Sequence, residues 1–279
     1  MKKIMLFLAV AGIMAACNND NEVLNEPQYI TEFKAVFGGA DSRIAAEASA
    51  AGLKFTWDDE DGLKVVTPDL AEVYEYTYNE ATGNFELQVY DDEQGMTAGT
   101  QYIALRDLGP DGKGGLKGAL NDQNDPYDPD AIDIPLISDK FTAEADGTIA
   151  EMHHIVGMVE VPVELAAASA INKLEGVGIM VANGKVVGPF SAKPEAPYFD
   201  AKIEDGNVYP NSITWREQTL NTTTSVSYFI PMLPGIYENP ELYYYYENES
   251  VTEQLTGTLT IECGKVTKLP VQEVTLIEK

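Results

Sequence analysis

Basic residues are scarce in this 279-residue chain: 18 Lys and Arg stand against 45 Asp and Glu, a formal charge of −27. A chain this acidic is repelled by nucleic acid and by anionic lipid headgroups, so both are excluded as partners. Histidine occurs only as the adjacent pair His153 and His154. Neighbours on a strand point to opposite faces, so the pair cannot chelate one metal or form a relay. Cysteine occurs only as Cys17 and Cys263, too few for a disulfide framework. Long apolar runs are also missing. The run Ile4–Met14 falls short of the about 20 residues that a membrane-spanning helix needs. Nothing matches a nucleophile elbow, a phosphate loop or a zinc spacing. Acidic residues are so common that no carboxylate pair singles itself out for glycoside hydrolysis. The sequence therefore points to no enzyme and to no cofactor.

What is present begins at the N-terminus. Lys2 and Lys3 precede the apolar run, and Ala15-Ala16-Cys17 closes it. A basic start, a short apolar stretch and small residues before a cut make a secretory signal peptide over residues 1–16. The Cys directly after the small pair resembles the lipobox of bacterial lipoproteins. That resemblance implies a mature chain starting at a lipidated Cys17. Asn18-Asn19-Asp20-Asn21-Glu22 then opens an acidic tether over residues 17–27. It resembles the export signal of surface lipoproteins of Bacteroidetes-type cells, which implies the outer face of the outer membrane.

Helix signals are nearly absent, with one short turn suggested within Val163–Leu174. Elsewhere, runs are broken every 8–12 residues by Gly, Pro, Asn or Asp, as in all-β sandwiches. Over Gln28–Gly38 the pattern alternates, with Tyr29, Phe33, Ala35 and Phe37 on one face and Glu32 and Lys34 on the other. Asp58–Asp61 reads as a turn. Val73–Tyr78 and Asn84–Tyr90 read as a hairpin around Asn79–Gly83. Leu108–Asp133 and Lys185–Ile203 read as long connections. A division near residue 150 gives an N-terminal domain, 28–150, and a C-terminal domain, 151–279.

Several stretches together resemble the fimbrillin family, the type V pilus subunits of Bacteroidetes-type cells. They are the lipobox, Lys54-Phe55-Thr56-Trp57 with Asp61-Gly62-Leu63-Lys64-Val65, and the hairpin Tyr78–Phe85. They continue with His153–Val163, Tyr228-Phe229-Ile230-Pro231-Met232-Leu233-Pro234-Gly235-Ile236-Tyr237, and Thr256–Leu269. The resemblance implies two tandem transthyretin-like β-sandwich domains. It implies a lipidated precursor at the cell outer membrane, cut by a trypsin-like protease after an Arg in the loop that follows the first strand. A strand from the next pilus subunit then fills the vacated groove. Of the three arginines, Arg43 lies in a loop of small residues just past that strand, which is a preferred nicking site. Cleavage between Arg43 and Ile44 would release the strand bearing Tyr29, Phe33, Ala35 and Phe37. Val271, Val274 and Leu276 are the donor-strand candidates, with Pro270 interrupting their run. The family includes stalk, tip and anchor subunits, and an anchor keeps its lipid and first strand. Adhesion to a host protein or glycan belongs to the same expectation.

Tyr243, Tyr244, Tyr245 and Tyr246 form a run of four aromatics that offers contacts to a ligand. On a strand two of them face in and two face out. This run supports the alternative of a surface glycan-binding lipoprotein of a polysaccharide-uptake system. The five aspartates of Asp122–Asp133 read as a solvated acidic loop, with a calcium site as the alternative. Cys263 reads as a small core residue.

Overall fold

The alternating segment after residue 27 forms a strand pair with a break at Thr31, where the buried set shifts by one residue. The structure, a computed structural model, describes residues 27–37, 56–89, 94–120, 134–182, 184–196, 198–203 and 211–277. Among these residues every regular element is a strand. The first half contains β1 (Tyr29–Ile30), β2 (Glu32–Phe37), β3 (Gly62–Val66), β4 (Val73–Asn79), β5 (Asn84–Leu87) and β6 (Met96–Thr97). It continues with β7 (Gln101–Arg106), β8 (Leu108–Pro110), β9 (Leu116–Leu120), β10 (Leu136–Ser138), β11 (Phe141–Thr142) and β12 (Ile149–His154).

Seven of these strands run in the order β10-β12-β2-β5-β4-β3-β7, and β10 pairs β7 to close the ring. Closure removes the exposed edges that an open sheet would present. The first half is thus a closed, barrel-like sheet. Its interior holds Phe33, Leu63, Val65, Tyr76, Phe85, Tyr102, Ala104 and Met152, all buried. The hairpin read from the sequence is β4–β5, turned at Asn79–Gly83 with Gly83 at φ +70. The acidic Asp58–Asp61 segment is a turn, with Asp61 N–H donating to Asp58 O at 3.0 Å. β12 spans the division near residue 150, and its residues through His154 pair with β2 and β10.

The second half contains β13 (Gly157–Leu165), β14 (Lys173–Met180), β15 (Gly188–Ala192), β16 (Phe199–Ile203), β17 (Asn211–Thr219) and β18 (Val226–Met232). The rest are β19 (Gly235–Glu238), β20 (Glu241–Tyr246), β21 (Glu249–Gln254), β22 (Thr258–Ile261), β23 (Val266–Lys268) and β24 (Gln272–Val274). One sheet is β18-β13 with β23 and β24 on the far edge of β13, and another is β17-β14-β20-β21. Val159, Val161, Val177, Ile179, Tyr228, Ile230, Leu242, Tyr244 and Tyr246 are buried. Ser212 and Thr214 hold the two sheets together along one margin, donating to Pro231 O at 2.8 Å and Phe229 O at 2.7 Å.

Three local readings are corrected. Leu108–Asp133 is not all loop, because β8 and β9 occupy its first part. Lys185–Ile203 is not a simple connection, because it holds β15 and β16. These two arms pair into one sheet, β16-β15-β9-β8, which joins the halves of the chain. Phe190, Leu116 and Leu120 are buried beneath it. Pro189 is tolerated because β16 pairing begins only at Phe190. Val163–Leu174 carries no helix, only a single turn in which Ser169 N–H donates to Ala166 O at 3.0 Å. The N–H groups of Ala166 and Ala170 donate instead to Val274 O and Leu276 O, each at 2.8 Å. Tertiary partners take donors that a helix would have used.

His154 is 3% exposed inside the barrel. Burial pushes its imidazole down to about 3, helped by the charges of His153 and Arg106. The folded chain keeps this ring neutral, whereas the unfolded chain protonates it below about 6.5. Its contribution to stability is therefore complete above pH 6.5 and is lost as the pH falls toward 3. The slope is about 1.4 kcal/mol per pH unit. In urea denaturation across pH 7 to 4, His154→Phe should show a shallower loss of stability than the parent chain. An unchanged slope would show that His154 is not the group responsible.

Candidate functional site

β2 is an inner member of the closed sheet. Its Lys34–Phe37 stretch pairs in parallel with Ile149–Met152 of β12. Its Glu32–Phe33 stretch pairs antiparallel with Phe85–Glu86 of β5. Strand partners thus lie on both sides, and further contacts cover its inner face. Phe33 is 3% exposed and packs against Tyr76 at 5.0 Å, Phe85 at 5.6 Å and Phe141 at 6.0 Å between ring centroids. Such edge-to-face and stacked contacts add to the gain from burying the rings. Ala35 is also buried, and its small side chain leaves room for Trp57, whose Nε1–H donates to Ala35 O at 2.8 Å. Phe37 stacks between two rings, 4.7 Å from Trp57 and 6.0 Å from His154.

Tyr29 does not join this inward set. It is 40% exposed, and the buried residue at the start of the segment is Ile30. The reason is the break at Thr31: β1 leaves the barrel sheet and pairs with β6, Tyr29 opposite Thr97 and Ile30 opposite Met96. Tyr76 fixes this departure. Its hydroxyl donates to Ile30 O at 2.7 Å and accepts from Met96 N–H at 3.2 Å. Burial pushes the Tyr76 phenol up to about 12, which keeps it a donor at any physiological pH. Gly95 sits at φ +81, where a Cβ would lie 2.6 Å from Ile30 O. Only glycine fits that approach.

Arg106 closes the open end of the cluster. Its guanidinium lies 5.8 Å from the Trp57 ring centroid and pairs with Asp61 at 2.9 Å. Sequence reading missed the roles of Tyr76, Trp57 and Arg106 toward the first strand. No spacing signals them, because Trp57 lies 22 residues from Ala35, Tyr76 lies 46 from Ile30, and Arg106 lies 45 from the Asp61 it pairs with. A groove of about 600 Å³ runs beside the start of β2, lined in part by Thr31, Glu32, Asn84, Glu144 and Thr148.

The other sequence candidates are placed as follows. Cys17, Arg43, Ile44 and the acidic loop 122–133 lie outside the described residues. Val274 and Leu276 are buried in their own half, where β24 pairs in parallel with β13. Val271 is exposed. A donor role would require this segment to leave its own sandwich. Tyr244 and Tyr246 are each 1% exposed and are core residues, so they cannot contact a ligand. Tyr243 and Tyr245 face outward and are half-buried. His153 pairs with Asp139 at 3.3 Å, while His154 is buried. Among the described residues no three His, Cys, Asp or Glu side chains are placed to hold a metal ion.

No protein-family model and no curated protein matches the chain. Solved structures do. A candidate cell adhesion protein from Bacteroides ovatus is 12% identical, with a TM-score of 0.57 over 86% of this chain and 91% of that one. A second candidate cell adhesion protein, from Bacteroides uniformis, is 12% identical, with a TM-score of 0.45 over 80% and 83%. A fimbrial protein from Bacteroides ovatus is 13% identical, with a TM-score of 0.39 over 91% of this chain and 52% of that one. At this identity the first likeness is one of fold alone, and it extends over most of both chains.

Proposed function

We propose that this chain is a structural or adhesive subunit of a cell-surface pilus, of the fimbrillin type. The precursor is anchored at the outer membrane through lipid on Cys17. A protease cuts between Arg43 and Ile44, and the strand bearing Phe33, Ala35 and Phe37 is then exchanged for one from a neighbouring subunit. Two tandem sandwich domains of transthyretin type are part of the same reading. Its work is binding by strand insertion, not catalysis.

The observation that carries this reading is the seat of β2 between β5 and β12 within a closed sheet. Loss of an edge strand would merely trim a sheet. Loss of this one leaves two backbone ladders without a partner and uncovers Tyr76, Phe85, Phe141 and Trp57. Each large apolar side chain is worth roughly 1.5–3 kcal/mol when buried. Each unsatisfied backbone group costs about 1–3 kcal/mol when it stays dry. A strand from another chain with large apolar residues at alternate positions meets both demands, which is the physics of β-augmentation. The likeness to a candidate cell adhesion protein of Bacteroides ovatus fits a surface role for the same fold.

The direct test is the N-terminal sequence and intact mass of the protein taken from its native cell surface. A start at Ile44 supports the proposal. A lipidated start at Cys17 in assembled material overturns the cleavage step. Arg43→Ala should hold the chain as an uncut monomer on size exclusion, while the parent chain forms higher assemblies after protease treatment. Two stability variants report on the grip of the strand. Phe33→Ala should cost about 3–5 kcal/mol in chemical denaturation of the uncut chain. Gly95→Ala forces Ile30 O aside from a strained backbone and should cost more than about 1 kcal/mol. Native-like stability in both would show that the strand is held elsewhere.

A further inference from the structure

The inward face of β2 is not uniform. Phe33 and Phe37 are large, and Ala35 between them is small. The neighbour on β12 is small as well: Ala35 lies opposite Ala150, and both side chains are buried. Two adjacent alanines leave a hollow in the barrel wall, and the indole of Trp57 spans it. Successive inward residues on a strand are about 6.6 Å apart, so Phe33 and Phe37 stand about 13 Å apart along β2. Rings bridge that distance over Ala35. Phe33 stacks on Phe85 at 5.6 Å, Phe85 meets Trp57 edge to face at 4.9 Å, and Trp57 stacks on Phe37 at 4.7 Å.

Trp57 also replaces a missing rung. β5 begins at Asn84 and pairs only with Glu32 and Phe33 of β2. Past that end, Trp57 Nε1–H donates to Ala35 O at 2.8 Å. This bond fixes the indole against the strand backbone at one position. The Arg106 guanidinium, 5.8 Å from the Trp57 ring centroid and paired with Asp61, further limits its movement. Any strand seated here brings a carbonyl to that position, so the bond itself does not discriminate. The side chain does, because the indole cannot retreat from a larger group without losing its bond and its stack on Phe37.

We propose that Trp57 sets a size rule for any strand seated between β5 and β12: the strand donated by a neighbouring subunit carries alanine or glycine between two large apolar residues at alternate positions. The inference rests on the strand-exchange reading and names the chemistry of the partner. Because small lies between large and large, the rule is the same for either strand direction. It selects against the chain's own C-terminal segment as donor. One face of that segment offers Gln272, Val274 and Leu276, and the other Val271, Glu273, Thr275 and Ile277. Neither face sets alanine or glycine between two large apolar residues. Val274 and Leu276 are buried in their own half instead.

The first measurement is thermal melting of the uncut chain. Ala35→Leu should lower the melting temperature by roughly 3–10 °C through overpacking. Ala35→Val, which favours strands yet adds bulk, should lower it by less. In the Trp57→Ala background, Ala35→Leu should raise it instead. The second measurement is fluorescence anisotropy with a labelled peptide of residues 28–37, added to the uncut Ala35→Leu chain, whose own strand is loosened. Should that chain fail to fold, Ala35→Val serves as the host. The parent peptide should bind roughly tenfold more tightly than the Ala35→Leu peptide. A peptide of residues 269–277 should not bind. On the Trp57→Ala chain the preference between the first two should reverse. Equal binding of those two by the loosened chain overturns the size rule and leaves strand exchange standing. So does a loss of melting temperature that Trp57→Ala leaves unchanged, or binding of the 269–277 peptide. No binding of any peptide overturns strand exchange, and the rule with it.

Discussion

The parallel pairing of β2 with β12 is the contact on which the first half of the chain depends. It joins the start of the chain to residues more than a hundred positions later, and it lets seven strands close into a ring. Parallel neighbours cannot be joined by a tight turn, so such a pair requires a long connection. Here the connection is most of the barrel itself. β2 is therefore among the last strands that local contacts can place, and its loss would open the ring.

Side chains from distant strands reinforce that seat, each by a different interaction. Phe33 contributes burial, Ala35 a carbonyl for Trp57, Phe37 a stack against Trp57 and His154, and Ile30 a carbonyl for Tyr76. Arg106 holds the Trp57 end through its cation–π contact and its ion pair with Asp61. These contacts sit on both sides of one short strand. The strand is consequently well held while its backbone is continuous with the barrel. With this much invested in one strand, its departure would leave a strong acceptor, and the proposed strand exchange rests on that property.

The second half solves a different problem. Its two facing sheets are open, and β23 and β24 fill the last edge of β13 as two short pieces interrupted by Pro270. The C-terminal residues Val274 and Leu276 are spent on the chain's own core. The arms β8–β9 and β15–β16 tie the two halves through one shared sheet.

Much of the strand pattern was legible from local chemistry. Alternation named Phe33, Ala35 and Phe37 as inward, turn residues located the β4–β5 hairpin, and alternation over Tyr243–Tyr246 divided the run into two buried and two outward rings. The run Leu233-Pro234-Gly235-Ile236-Tyr237 ends in a tyrosine whose hydroxyl bonds back to Leu233 O at 2.6 Å, a local contact, though the same hydroxyl also reaches Lys185 O at 3.1 Å. Other features were not local. The shift from Tyr29 to Ile30 depends on β6, the strands within 108–120 and 188–203 depend on each other, and the N–H donors of Ala166 and Ala170 go to carbonyls at Val274 and Leu276. Periodicity and turn chemistry act within a few residues, so the sequence by itself determined strand faces and turns. Barrel closure and the partners of the first strand bring together positions far apart in the chain. Only the tertiary structure decided these, because spacing along a chain carries no information about which distant strand becomes a neighbour.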